Sequence, residues 1–238
     1  MRDGLVRGAA ALLLWATLAP AAAADAPPAL AQLEQAVAAA PDSPRPASDY
    51  RMAVIRAGEY DRAIAFFERL VAAHPKSANA WLNYGYAYVD KIPAAGAISR
   101  VILANHSLEK FTKSIELQRA WLALYTRGNS YLYWPPIFGK APLALADLEE
   151  ALALVKREPK RRPVHARVYV ALGDAYWRTE RPEKARTVWR EGAALFPNTP
   201  QLQARLARDG DELSTYIYDQ LDSNERVDTS LAPLWAEP

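Results

Sequence analysis

The chain has 238 residues, of which 51% are hydrophobic and 24% charged, a composition typical of a globular protein with an ample core. It contains no cysteine, which excludes disulfides, thiol catalysis and thiolate metal sites. Its 29 basic and 27 acidic residues give a formal net charge of +2, which is too balanced to indicate nucleic-acid or membrane-surface binding through bulk charge.

The N-terminus has the pattern of a secretory signal peptide. Arg2 and Arg7 accompany an apolar run at residues 9–19, and small residues at 21–24 form a cleavage site of the A-x-A type. Because about 20 apolar residues are needed to span a bilayer, this shorter run favours a cleaved signal over a retained anchor. We therefore expect residues 1–24 to be removed, no stable membrane insertion afterwards, and an exported protein of the bacterial periplasm.

The next segment introduces a period that is punctuated by prolines. LEQAVAAAP at 33–41 predicts a single helix that ends at Pro41, and the helix pair that follows ends 34 residues later, at Pro75. In this pair Arg51 stands at the position where the later units have a small residue. The first helix of the pair is therefore degenerate.

The second unit begins with W-x-x-Y-G-x-x-Y at residues 81–88 and then carries an insertion near 92–106. Apolar residues such as Ile98 and Ile102 continue the helical spacing of the second helix into this insertion. We expect that helix to begin near Ala94, about three turns early, and to stand roughly 15 Å beyond the edge of the repeat at 1.5 Å per residue.

The third unit, recognisable at residues 124–131, carries a second insertion near 134–141, within YLYWPPIFGK. Pro135 disfavours helical geometry at the preceding tryptophan, and Gly139 permits a turn. The first helix of this unit should therefore run through Tyr133 and lead into an enlarged turn.

A third insertion, near 159–165, follows the third unit and belongs to the basic stretch KREPKRRPVH at 156–165. Five lysine and arginine residues could hold an anionic partner. Because no aromatic residues interleave with the charges, we favour a solvated linker.

The clearest unit is residues 166–199, with Y-x-x-L-G-x-x-Y followed by an A-x-x-x-W segment and a closing proline. Gly173 and Ala185 lie twelve residues apart, where the two helices of one unit come closest. This 34-residue helix-turn-helix unit resembles the tetratricopeptide repeat, whose pattern is W-x-x-L-G-x-x-Y, then A-x-x-x-F and a closing proline. The same frame extends backward, with decreasing regularity, to the half-unit at the N-terminus.

The resemblance implies an all-α, right-handed superhelical solenoid of about four helix-turn-helix repeats. The solenoid would cover residues 44–199, after a linker and half-repeat helix at 25–43. Residues 200–238 would supply capping helices and a tail. The tail ends in DTSLAPLWAEP, which either folds back on the solenoid, the interpretation that we favour, or is an exposed partner motif.

Two insertions should be neighbours, because the turns within successive repeats lie on the same edge of a solenoid. We call their apolar residues the rim: Ile98, Ile102, Trp134, Ile137 and Phe138. These side chains either cover one another, which we favour, or form a hydrophobic docking surface for a partner.

The resemblance also implies a binding function, because tetratricopeptide arrays hold a peptide or an extended segment on the concave face of their first helices. By position, the candidate partner-binding residues are Asn79, Leu82, Tyr86, Tyr125, Asn129, Tyr133, Arg167, Asp174, Trp177 and Arg178. The expected function is a non-catalytic scaffold for a protein or peptide partner, with no role for nucleic acid. About a third of these side chains should instead pack between repeats.

Catalytic signatures are weak. His74, His106 and His165 lie in different repeats without a second ligand at metal-binding spacing, and the sequence has no glycine-rich phosphate loop. We therefore predict no enzymatic activity, cofactor or metal. The alternative function is a carrier of a small or lipophilic ligand, in a cavity under the loop at 134–139.

Overall fold

The computed structural model describes residues 29–222 and 226–235, so the predicted signal peptide lies outside the described residues. Within these ranges the regular secondary structure is helical throughout. The α-helices are α1 (Leu30–Ala39), α2 (Pro44–Ala57), α3 (Tyr60–Ala73), α4 (Ala78–Lys91), α5 (Ala97–Leu117), α6 (Trp121–Leu132), α7 (Ala141–Val155), α8 (Ala166–Arg178), α9 (Pro182–Leu195), α10 (Pro200–Leu206) and α11 (Gly210–Gln220). In this part of the chain no helix is both long and apolar enough to cross a membrane.

The helices form a repeat solenoid, as the sequence predicts. Helix α1 is the half-repeat, the next eight helices form four antiparallel pairs from α2–α3 to α8–α9, and α10 and α11 cap the C-terminal end. The first helices of the pairs, α2, α4, α6 and α8, form one layer, in which α2 contacts α4 and α6 contacts α8. The inner side of this layer is the concave face.

Three glycines set the close approach of the helices within the pairs. A Cβ atom on Gly173 would overlap the ring of Trp189, and one on Gly85 would overlap Phe111. Gly128 meets Leu148 of its partner helix in the same way. The glycine of the repeat pattern therefore makes room for a large buried side chain on the facing helix.

The structure has a long helix and an enlarged turn at the two places where the sequence predicts insertions within repeats. Helix α5 is 21 residues long and begins at Ala97, slightly later than predicted, because a 3-10 turn at Ile92–Ala94 precedes it. Helix α6 ends at Leu132, and a second 3-10 turn at Pro136–Phe138 leads to Gly139 in the left-handed region, with φ 59°.

The linker before α8 buries His165 rather than exposing it to solvent. Its Nδ1 accepts a hydrogen bond from the Arg162 amide at 3.4 Å, and its ring packs edge-on against Trp121, with 5.0 Å between the ring centroids. Its Nε2 has no hydrogen-bond partner among the described residues. Burial lowers the pKa of His165, and the Arg162 guanidinium lowers it further.

This environment predicts that stability falls in mild acid. The unfolded chain binds a proton at His165 near pH 6.5, whereas the folded chain resists protonation. The free energy of unfolding should therefore be unaffected by this group above pH 7. It should decrease below about pH 6.5, by at most about 1.4 kcal/mol per pH unit. Urea unfolding between pH 5 and 8 measures this dependence. His165→Phe should show a shallower slope, and equal slopes would contradict the assignment.

Candidate functional site

The C-terminal tail, residues 226–235, lies on the concave face. Residues 226–231 have no regular secondary structure, and a short 3-10 turn at Ala232–Leu234 follows them. The tail contacts α2, α4 and α8 from the inner side of the solenoid. The favoured prediction, that the tail folds back, agrees with this position.

Arg51 is the main anchor of the tail. Its side chain is 0% exposed, and its guanidinium lies 4.5 Å above the ring of Tyr86. Its Nε donates to Asn83 Oδ1 at 3.0 Å, its Nη1 to Asp90 Oδ2 at 2.9 Å, and its Nη2 to the Thr229 carbonyl at 2.8 Å. The arginine that breaks the repeat pattern therefore joins two repeats to the tail.

The buried Asp90 is satisfied from both sides. The Thr229 hydroxyl donates to Asp90 Oδ1, and Arg51 binds the other carboxylate oxygen. Burial raises the pKa of Asp90, while Arg51 and the Thr229 hydroxyl oppose that rise. A buried carboxylate is tolerated only where such partners compensate for its lost hydration. The tail supplies one of these partners.

An aliphatic side chain follows this polar anchor. Leu231 is 4% exposed and belongs to the main hydrophobic core, and its amide donates to Ser48 Oγ at 3.1 Å. On the opposite side of the groove, Asp228 pairs with Arg167 at 2.7 Å. The tail thus spans the concave face from the first repeat to the fourth.

Beneath the tail lies a cavity of about 170 Å³. Its walls are mostly apolar and come from α4, the first turns of α5, α6 and the tail itself. Trp134 and Pro135 form part of one wall, next to Tyr133. The enlarged turn therefore contributes two residues to one wall of this cavity, and the tail covers one side of it.

Five of the predicted partner-binding residues line this cavity: Tyr86, Tyr125, Asn129, Tyr133 and Arg167. Burial raises the pKa of Tyr125, and the Arg167 guanidinium opposes the rise. Burial also raises the pKa of Tyr133. These phenols therefore remain neutral at physiological pH and can act as hydrogen-bond donors.

Three predicted partner-binding residues are buried, and two of them, Leu82 and Asp174, do not line the cavity, so their assignment to the binding surface is wrong. Leu82 and Tyr86 are core residues, and the Tyr86 hydroxyl bonds to Thr126 Oγ1 at 2.6 Å. Asp174 is buried in a bidentate pair with Arg205, at 2.5 and 2.6 Å. Position in the repeat pattern does not distinguish a groove-facing residue from one that packs on the next first helix.

Three further predicted residues are engaged away from the cavity. Asn79 donates to the Asp42 carbonyl at 2.5 Å, and Trp177 Nε1 donates to Ser214 of α11 at 3.2 Å. Arg178 donates to the carbonyls of Leu132 and Trp134, so it braces the enlarged turn. The structure therefore gives Asn79 and Arg178 structural contacts and places Trp177 beside the cap.

Sequence reasoning missed the residues that hold the tail: Ser48, Arg51, Asp90, Thr229 and Leu231. Arg51 did carry a signal, because a charged residue at the small position of a repeat needs a buried partner. Nothing local in the sequence connects it to Thr229, since the two residues are far apart along the chain.

The rim is exposed, so the favoured interpretation that its members cover one another is wrong. Ile98 is 81% exposed and Ile137 is 89% exposed, and Ile102 and Phe138 are also open to solvent. Trp134 is half-buried and meets Phe138 edge-on at 5.4 Å between centroids. Because the turn folds onto Trp134 rather than onto α5, the two insertions leave their apolar side chains free.

Such exposure predicts a small effect on stability. Ile98→Ser and Ile137→Ser should each change the free energy of unfolding by less than about 0.5 kcal/mol, since exposed side chains contribute little. Urea unfolding of each variant measures the change, and Leu148→Ser, at a fully buried position, is the destabilised control. A loss of more than about 1.5 kcal/mol at either rim position would show that the rim is covered.

Metal ligation has no geometric support in residues 29–222 and 226–235, where no group of three or more histidine, cysteine, aspartate or glutamate residues could hold an ion. His106 pairs with Glu109 at 3.4 Å on the surface of α5. His74 is exposed at the end of α3, as expected for a turn residue.

Comparison with known proteins agrees with the repeat geometry. One family model described as tetratricopeptide repeat matches residues 21–83, and a second with the same description matches residues 166–209. The chain therefore contains tetratricopeptide repeats over these two ranges. No curated protein sequence is significantly similar to it.

Several solved tetratricopeptide repeat structures share its fold. TTC0263 of Thermus thermophilus is 21% identical, with a TM-score of 0.56 over 75% of this chain and 87% of that one. PilF of Pseudomonas aeruginosa is 15% identical, with a TM-score of 0.54, and the match covers 81% of this chain and 74% of PilF. YrrB, described as having an unusual peptide-binding site, is 16% identical, with a TM-score of 0.51. The match covers 87% of this chain and 90% of YrrB. At these identities the likeness concerns the fold alone.

Proposed function

We propose that the chain is a non-catalytic scaffold of the bacterial periplasm that binds an extended segment of a partner protein on its concave face. One observation carries this proposal: the face already holds an extended segment, its own tail. Arg51 binds the tail main chain at Thr229, and Ser48 binds it at Leu231. Main-chain bonds of this kind suit any extended segment, and side-chain contacts add selectivity.

The groove also contains the residue types that anchor interfaces. Tyr125, Tyr133 and Arg167 line the cavity below the tail. Aromatic and arginine side chains contribute much of the binding energy at interfaces, and the aromatic ones bury a large area with few rotatable bonds. The exposed rim would extend this surface, since Ile98 and Ile137 contribute apolar area at the same edge.

Peptide selection tests the proposal. A display library of random twelve-residue peptides is selected on the immobilised full chain, and the affinity of each enriched peptide is measured by fluorescence anisotropy. We expect Tyr125→Ala to weaken binding at least about tenfold, the effect of losing one anchor residue. We expect Arg167→Glu to weaken binding of acidic peptides, because it reverses the charge that faces them. Arg190→Glu, an exposed position on α9, is the matched charge control. Equal binding by all the variants would exclude the concave face.

A second candidate function is a carrier of a small apolar ligand, favoured by the cavity itself. A cavity of about 170 Å³ with mostly apolar walls lies under the tail. Apolar cavities of about 150 Å³ bind molecules the size of benzene. Native mass spectrometry of the purified chain should show a bound mass that is lost in Leu122→Trp, which fills the cavity. A clean protein mass before and after incubation with indole would exclude this function.

A further inference from the structure

We propose that the concave face selects segments that carry an acidic residue, a hydroxyl residue directly after it and an aliphatic residue two positions further on. This is the order of Asp228, Thr229 and Leu231. The tail is then a built-in competitor, which a partner segment must displace. The inference rests on the proposed function, because it names the partner chemistry of the same groove.

The hydroxyl position is the most selective of the three. Asp90 is buried, and it accepts hydrogen bonds from Arg51 and from the Thr229 hydroxyl. Valine in place of threonine would have a similar shape but would leave one buried carboxylate oxygen without its donor. Unsatisfied buried acceptors are strongly disfavoured, so the groove should reject segments that lack a hydroxyl here.

The acidic position faces a partly exposed arginine. Arg167 Nη2 binds Asp228 Oδ2 at 2.7 Å, and both side chains remain in contact with solvent. An exposed pair contributes little affinity but penalises the wrong charge. This contact should therefore exclude basic residues rather than hold the segment.

The aliphatic position is a closed apolar site. Leu231 is almost fully buried, and the Ser48 hydroxyl oxygen accepts a hydrogen bond from the Leu231 amide. A charged side chain at this position would have to be buried without a partner, which proteins avoid. Leu231→Asp in the full chain should therefore release the tail from the groove.

The tail fills the groove incompletely, which makes it displaceable. The cavity of about 170 Å³ remains between the tail and α6. A partner segment with a larger apolar side chain at this point would make contacts that the tail does not make. The tail still has the advantage of covalent connection, which corresponds to an effective concentration in the millimolar range.

The test uses a fluorescent peptide with the tail sequence, RVDTSLAPLW, and the full-length chain. Leu231→Asp should bind the peptide at least about tenfold more tightly than the wild type, because its own tail no longer competes. Arg190→Glu, at an exposed position on α9, is the control and should bind like the wild type. Peptides with threonine replaced by valine, or leucine by aspartate, should bind Leu231→Asp at least about tenfold more weakly than the parent peptide.

Each other outcome has a definite meaning. Equal peptide affinity for wild type and Leu231→Asp would overturn the inference. If peptides from the display selection bind at Tyr125 and Arg167 but the tail peptide does not, the proposed function stands and this inference fails. If neither binds, the proposed function fails as well. Dimers that form through exchanged tails, detected by light scattering, would make a second copy the occupant and would overturn the inference.

Folding of the variant is checked by circular dichroism. Asp228→Arg is the second variant, because it reverses the charge at the partly exposed end of the tail and leaves the buried anchors intact. It should raise peptide affinity in the same direction as Leu231→Asp. If both variants unfold, the tail is a fixed part of the fold and not a competitor, which would overturn the inference.

Discussion

Arg51→Met is expected to lower the free energy of unfolding by about 3–5 kcal/mol, because it leaves Asp90 buried without its cationic partner. The same change removes the hydrogen bonds to Asn83 and to the Thr229 carbonyl. The tail should therefore loosen together with the loss of stability. Urea unfolding followed by circular dichroism measures the free energy.

Two companion variants make this result specific. Arg56→Met changes an exposed arginine on the same helix and should stay within about 0.5 kcal/mol of the wild type. Arg51→Met combined with Asp90→Leu should recover much of the lost stability, because no unpaired charge remains buried. A cost below about 1 kcal/mol for Arg51→Met alone would show that this pair does not hold the repeats to the tail.

Trp189→Ala should lower the free energy of unfolding by about 3–5 kcal/mol, as expected for removal of a large core aromatic side chain. Trp189 is fully buried in the fourth repeat, where its indole N–H donates to the Val170 carbonyl at 3.3 Å. Its ring lies against the backbone of Gly173, so no side chain of that residue can fill the space that the ring leaves. Thermal and urea unfolding both measure the loss.

A coupled variant tests the reason for the glycine. Gly173→Ala should cost about 1–3 kcal/mol in the wild type, because the added methyl group overlaps the indole ring. The same substitution should cost far less in Trp189→Ala. Gly96→Ala is the control, since a methyl group there meets open space. Additive effects of Gly173→Ala and Trp189→Ala would contradict the close contact.

The fold could be predicted from the sequence because its causes are local. In three of the four repeats a glycine and the large buried residue that faces it are a few turns apart in sequence, as in Gly173 and Trp189. Proline and glycine also marked the enlarged turn correctly, with Gly139 in the left-handed region. Even the long α5 followed from the spacing of its apolar residues.

The site was less predictable because its contacts join distant parts of the chain. Arg51 and Thr229 are 178 residues apart, and no periodic pattern relates them. Burial also depends on which neighbour a side chain reaches: Asp174 has a groove position in the repeat, yet Arg205 of the capping helix covers it. The rim was misjudged for the same reason, since Trp134 folds against its own turn instead of reaching α5.

The most direct test of the central claim is native-state hydrogen exchange of the full-length chain. That claim is that the concave face holds an extended segment reversibly. We predict that residues 226–235 exchange more slowly than the same residues in the free peptide, but open at a lower free energy than α8. Exchange as fast as in the free peptide would show that the tail is not bound. Opening only together with α8, at the free energy of global unfolding, would show that the tail is a permanent part of the core and that the groove is closed to a partner.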